Sequence, residues 1–185
     1  MKSNIKYIVT IFVIFLVILF LSKKTLLIAY IPSESMENTL QVHDLVLSNR
    51  LAYNNSDPTR GDIIVFPAKL EEGKYIKRII GLPGETVSFQ DGYVYINGKK
   101  LEENYIKEKW STKDVENVSF VVPDDAYFVM GDNRNFSYDS RYWWQEALDS
   151  GVASSKEEAL FYSFVERESI IAKGCIKIFK GFEVY

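Results

Sequence analysis

Two serines one residue apart, Ser33 and Ser35, follow Pro32 shortly after an apolar N-terminal run, with no histidine placed to activate either. The chain's one histidine, His43, lies eight residues past Ser35, and so short a connection rarely folds a base back onto a hydroxyl. Serine is a weak nucleophile at neutral pH, so a hydrolytic reading needs another proton acceptor, and a lysine of lowered pKa can serve. In a strand over 75–80, Tyr75, Lys77 and Ile79 share one face, with Ile76, Arg78 and Ile80 on the other. Lys77 then has apolar neighbours. A free lysine, of pKa ~10.4, is protonated at neutral pH; taking it to ~8 costs the charged form about 3 kcal/mol, which burial can supply. Periodicity alone leaves a second reading open, an edge-strand lysine with its ammonium in water.

A third stretch, Gly131-Asp132-Asn133-Arg134-Asn135-Phe136-Ser137-Tyr138-Asp139-Ser140-Arg141-Tyr142-Trp143, is dense in side chains that hydrogen-bond and form ion pairs. By itself it is also an ordinary polar loop, since Asp, Asn, Ser and Gly form turns in any protein.

The elements that must position these residues read as mainly β. Tyr, Phe and Trp number 12, 12 and 3, and short β-branched and aromatic runs alternate with glycine turns. Strands are expected at 45–48, 62–66, 75–80, 86–89, 93–96, 118–122, 126–130 and 170–179, with 26–31 a strand or a membrane-proximal segment. Asp91-Gly92 and Asn97-Gly98 mark reversals, the first a strong hairpin signal. The exception is an insert at about 145–164, where Ser154-Ser155-Lys156-Glu157-Glu158 forms a capping-box arrangement and predicts a short helix burying Leu160, Phe161 and Phe164.

With 185 residues the chain can build one core, or a core with a small lobe. A net charge of −3 without a Lys/Arg cluster argues against nucleic acid. Cys175 is the single cysteine, which excludes an intramolecular disulfide and leaves no cysteine cluster for zinc; no metal or cofactor is expected. Residues 5–21 are apolar except for Lys6 and Thr10, and Lys23-Lys24 follows without a small-residue cleavage site. The segment therefore reads as a retained membrane anchor over 1–24, although the lysine count is tied on its two sides and leaves the orientation open.

Taken together, the blocks resemble the type I signal peptidases, a family of membrane-anchored serine proteases. The matching segments are Pro32-Ser33-x-Ser35-Met36-x-x-Thr39-Leu40, Arg60 to Phe66, Tyr75 to Glu85 and Gly131 to Trp143, in the family's order, with a weaker echo over 165–174. The resemblance implies a signal-peptidase/LexA-like β domain over 25–185, following the transmembrane helix and carrying the short helical insert. It implies Ser35 as nucleophile, Lys77 as general base, Ser33 as an oxyanion-hole donor and Ser137 as the residue orienting the lysine. Arg78, Asp132, Asp139 and Arg141 match charged positions that brace the loop around the base. Ile31, Met36, Leu40 and Ile76 match the apolar lining for small substrate side chains. The implied partners are signal peptides of secretory preproteins, cleaved after small residues in an A-x-A pattern, together with membrane lipid. The implied location is the cytoplasmic membrane, crossed once, with the catalytic domain on the extracytoplasmic side.

The sequence departs from the family pattern at Asn38, usually proline, at His43, often glycine, and at Glu34, whose carboxylate would raise the pKa of a nearby Lys77 unless it points to solvent. Two other readings compete. One is a catalytically weak or non-catalytic membrane-bound relative that assists assembly of exported proteins. The other is a LexA-type Ser/Lys autoprotease, which would require a DNA-binding helix-turn-helix where this chain has its apolar segment.

Overall fold

The computed structural model describes residues 2–111, 115 and 118–179; residues 180–185 of the expected catalytic domain lie outside this set. The chain opens with helix α1, Lys2–Thr25. Its stretch Lys6–Thr25 is long and apolar enough to cross a membrane. At 1.5 Å per residue the full helix extends about 36 Å, which exceeds the ~30 Å of a bilayer's hydrocarbon core. The helix thus extends beyond the apolar run expected from the sequence at both ends.

The next residue begins strand β1, Leu26–Tyr30. It is followed by β2, Leu45–Asn49, β3, Ile63–Pro67, and β4, Lys74–Gly81. After these come β5, Thr86–Gln90, β6, Tyr93–Ile96, β7, Lys99–Lys100, β8, Ser119–Val121, and β9, Ala126–Met130. Last are β10, Val165–Glu166, and β11, Ala172–Phe179. Two sheets result, one ordered β1-β2-β11-β3-β4-β9-β10 and a smaller one ordered β7-β6-β5-β8. The fold is mainly β, as expected, and the two-residue strands β7 and β10 are additions to that expectation.

Turn chemistry sets much of this register. Asp91 and Gly92 both have positive φ, the backbone of a two-residue hairpin whose twist suits the flanking strands. Asn97 and Gly98 repeat that pattern before β7. Between the sheets, Phe128 of β9 packs on Phe120 of β8 with ring centroids 4.9 Å apart, and Phe89 of β5 joins them.

The expected helix in the insert is two helices, α2, Trp143–Asp149, and α3, Lys156–Leu160. Gly151, at φ 73°, ends the first by a left-handed turn, and Ser155 caps the second by accepting the Glu158 amide at 3.2 Å. α3 ends at Leu160, and Phe161 opens a 3-10 turn. Ala147, Ala159, Trp144 and Phe164 enter the core, whereas Phe161, expected to be buried, is 64% exposed.

Candidate active site

Ser35 sits in a single 3-10 turn, Glu34–Met36, just beyond β1. Hydrogen bonds from Ile31 N to Asp44 O (3.0 Å) and from His43 N to Ile31 O (2.8 Å) fix the strand's exit. The turn is then gripped by the polar loop after β9. Asn133 donates its backbone N–H to Ser35 O and its side-chain amide to Glu34 O, each at 3.1 Å. Asn38 has φ 86° and donates to Tyr105 O at 3.0 Å. A proline ring cannot adopt that φ, so asparagine at the family's usual proline position accompanies a different local backbone.

Lys77 lies in β4, which is paired on one side with β3 and on the other with β9 from Arg78 onward. Its backbone pairs with Ile64 of β3 one residue before the β9 pairing begins, yet its side chain is only 4% exposed, which excludes the lysine with its ammonium in water left open by periodicity. Its Nζ donates to Ser35 Oγ at 2.7 Å. Burial lowers its pKa to about 8, while Asp139 and Asp132 pull it up and Arg141 pushes it down.

Those charges come as pairs. Arg141 Nε and Nη2 donate to the two oxygens of Asp139 at 2.8 and 2.9 Å, both side chains being fully buried. The Arg141 guanidinium lies 5.0 Å from the ring centroids of Trp110 and Tyr142. Complete burial pushes the Asp139 carboxyl up, yet Arg141, the Ser137 hydroxyl and the Gly131 amide together hold it below the usual carboxylate range. Arg78 makes a second two-pronged pair with Asp132, at 2.8 and 2.6 Å, and stacks 4.1 Å from the Tyr105 ring centroid. Because each carboxylate near the lysine has its own arginine, burial outweighs them in setting the amine's pKa.

The two remaining hydroxyls differ in setting. Ser137 is buried and donates to Asp139 Oδ2 at 2.7 Å, so its hydrogen bond goes to the carboxylate that acts on Lys77. Ser33 is exposed on the lip of the site, its hydroxyl donating to Ser35 Oγ over a long 3.4 Å. Glu34 is exposed and is absent from the charges that move Lys77; the conflict anticipated between them does not arise.

A cleft of about 600 Å³ opens in front of the pair. Residues 27–30 with Pro32, Ser33 and Ser35 form one wall, and residues 71–77 with Val65 the other. Ile76 lines it. Ile31, Met36 and Leu40 are buried in a cluster with Val46, against which Ile76 also packs.

Two contributors went unrecognised as individuals in the sequence. Asn133 looks like any turn former in its block, and its grip on the serine turn is visible only in three dimensions. Gly131 has a steric role: a Cβ there would lie 2.3 Å from both Ser35 O and Ser137 Oγ. A larger residue would push apart the serine turn and the loop behind it.

A desolvated lysine hydrogen-bonded to a serine is an arrangement of the kind that activates a serine nucleophile without histidine. The family model for signal peptidase, peptidase S26, matches residues 4–179, and the chain belongs to that family. It is 50% identical over 120 residues to probable signal peptidase I-2 of Synechocystis, covering 62% of this chain and 54% of that protein. It is 36% identical over 181 residues to signal peptidase IB of Staphylococcus aureus, covering 89% and 93%. The chain thus spans little more than half the length of the Synechocystis relative and nearly all of the staphylococcal one. A crystal structure of a signal peptidase I from Enterococcus faecalis is 34% identical, covering 64% of this chain and 97% of that one, with a TM-score of 0.46.

Proposed function

We propose that this protein is a membrane-anchored serine endopeptidase that removes signal peptides from exported preproteins by cleavage after small residues. The observation that carries the reading is the 2.7 Å contact between Ser35 Oγ and a Lys77 amine that burial brings to a pKa of about 8. Neutral Lys77 accepts the Ser35 proton as Oγ attacks the scissile carbonyl. The resulting ammonium gives that proton to the departing amine, leaving an acyl-enzyme. A water, deprotonated by the same lysine, then hydrolyses the ester.

The Ser35 N–H and the Ser33 hydroxyl are the donors assigned to the developing oxyanion, Ser33 turning from Ser35 Oγ toward it. Ser137 and Asp139 position the amine, and Asp139–Arg141 and Arg78–Asp132 hold the loop on which they stand. Substrate enters the cleft extended and adds to the free edge of residues 74–77 by main-chain hydrogen bonds. With β1 continuous with α1, the serine turn is nine residues from the helix end, which suits a substrate whose apolar segment is still in the bilayer. The domain that follows α1 is assigned to the extracytoplasmic face. A non-catalytic scaffold would gain nothing from burying an unneutralised lysine against a serine.

The test is cleavage of a precursor with an A-x-A site by the full chain in detergent, alongside Ser35→Ala and Lys77→Ala. Wild type should process it and both variants should not; equal processing by all three would remove the dyad from the mechanism.

A further inference from the structure

A second cavity, of about 180 Å³, adjoins the cleft. Its walls are Phe66, Leu70, Tyr75, Trp143, Val165 and Ser169, and the Lys69–Glu166 ion pair, at 2.7 Å, stands at its polar rim. The aromatic walls are mutually braced. Tyr75 stacks on Trp143 with centroids 5.5 Å apart, and the Phe66 ring meets both edge-on at about 6 Å. A cavity of this size and lining accepts an aromatic ring, since an apolar void of ~150 Å³ stays dry and takes up benzene.

The occupant follows from Tyr75, which lines this cavity and the cleft alike. Its ring centroid is 5.6 Å from Lys77 Nζ, and the two residues share one face of β4. An extended chain lying along the cleft presents same-face side chains every ~6.6 Å, so a residue near the cleaved bond comes to the mouth of the cavity.

Resting on the endopeptidase reading, the geometry points to a subsite for one large apolar side chain, aromatic or leucine-like, of the polypeptide bound in the cleft. The small residues required beside the cleaved bond then cease to be the whole of the selectivity. Trp143, the last residue of the polar block and the first of α2, supplies the wall on which Tyr75 stacks.

The test is a peptide series with a fixed A-x-A site, in which phenylalanine replaces alanine one position at a time on both sides of the bond. The full chain in detergent is compared with two cavity-filling variants at partly exposed walls, Ser169→Phe and Leu70→Trp. Wild type should prefer phenylalanine at one position by about tenfold or more in kcat/KM, since even one methylene in an apolar pocket discriminates roughly 10-fold. The filled variants should lose that preference and still cleave the all-alanine peptide at the wild-type rate. A flat series in wild type, or an undiminished preference in both filled variants, overturns the subsite. Kd values for the same peptides on Ser35→Ala protein read the pocket without catalysis: tighter binding of one phenylalanine peptide, absent once the cavity is filled, sustains the subsite, and uniform binding overturns it. Failure of wild type to cleave any peptide counts against the endopeptidase reading, and the binding series still decides the subsite.

Discussion

Replacing Lys77 by methionine should abolish cleavage and stabilise the protein, by an amount that depends on pH in a defined way. The amine is buried, and its pKa in the folded chain is about 8 against an ordinary 10.5. Below pH 8 both folded and unfolded chains carry the charge, and folding bears the whole desolvation cost, about 3 kcal/mol at ~1.36 kcal/mol per unit. As pH rises from 8 toward 10.5, the unfolded chain binds more protons than the folded one, and stability rises with pH. Lys77→Met removes this titration and keeps a side chain of similar volume. Its stability gain over wild type should therefore be larger at pH 7 than at pH 10, by about 2 to 3 kcal/mol after allowing for incomplete titration of the unfolded chain at pH 10. Loss of the hydrogen bond to Ser35 affects both pH values alike and cancels in the comparison. Urea unfolding of the full chains in detergent, at the two pH values, measures it. A difference between wild type and variant that is the same at both would mean that burial does not set the lysine's pKa.

Cleavage by wild type should decline below about pH 8 as Lys77 becomes protonated, with a slope approaching tenfold per unit; activity unchanged down to pH 5 would contradict a lysine base. Glu34→Gln should shift that pH midpoint by less than ~0.3 units, because an exposed charge is screened by water and salt, and a pH–rate profile reads it directly. Asp139→Ala should cost about 3–5 kcal/mol in urea unfolding, since it strands the buried Arg141 guanidinium without its partner. Gly131→Ala should lower kcat/KM at least ~100-fold by displacing the serine turn; near-wild-type cleavage would show that the two loops can separate without consequence.

How far the sequence exposes this site depends on whether a property is local. The two-residue turns at Asp91-Gly92 and Asn97-Gly98 specify their own backbone, and the strands on either side fall close to where they are expected. Lys77 is the opposite case. Alternation along β4 gives its face but cannot say what covers that face, and the burial that lowers the amine's pKa comes from a strand paired with β3 and from the serine turn that meets its Nζ, forty-two residues away in sequence. The same limit explains Phe161. The capping box announces the helix but not its end: α3 stops at Leu160, Phe161 opens a 3-10 turn, and Ala159 and Phe164 take the core positions. The serine turn combines both kinds of information: Ser33 and Ser35 stand out by type and spacing, yet what holds the turn at Glu34 and Ser35 is Asn133, ninety-eight residues past Ser35, and the absence of a Cβ at Gly131. Residue chemistry therefore nominates Ser35 and Lys77, and long-range packing is what brings them to 2.7 Å and lowers the lysine's pKa.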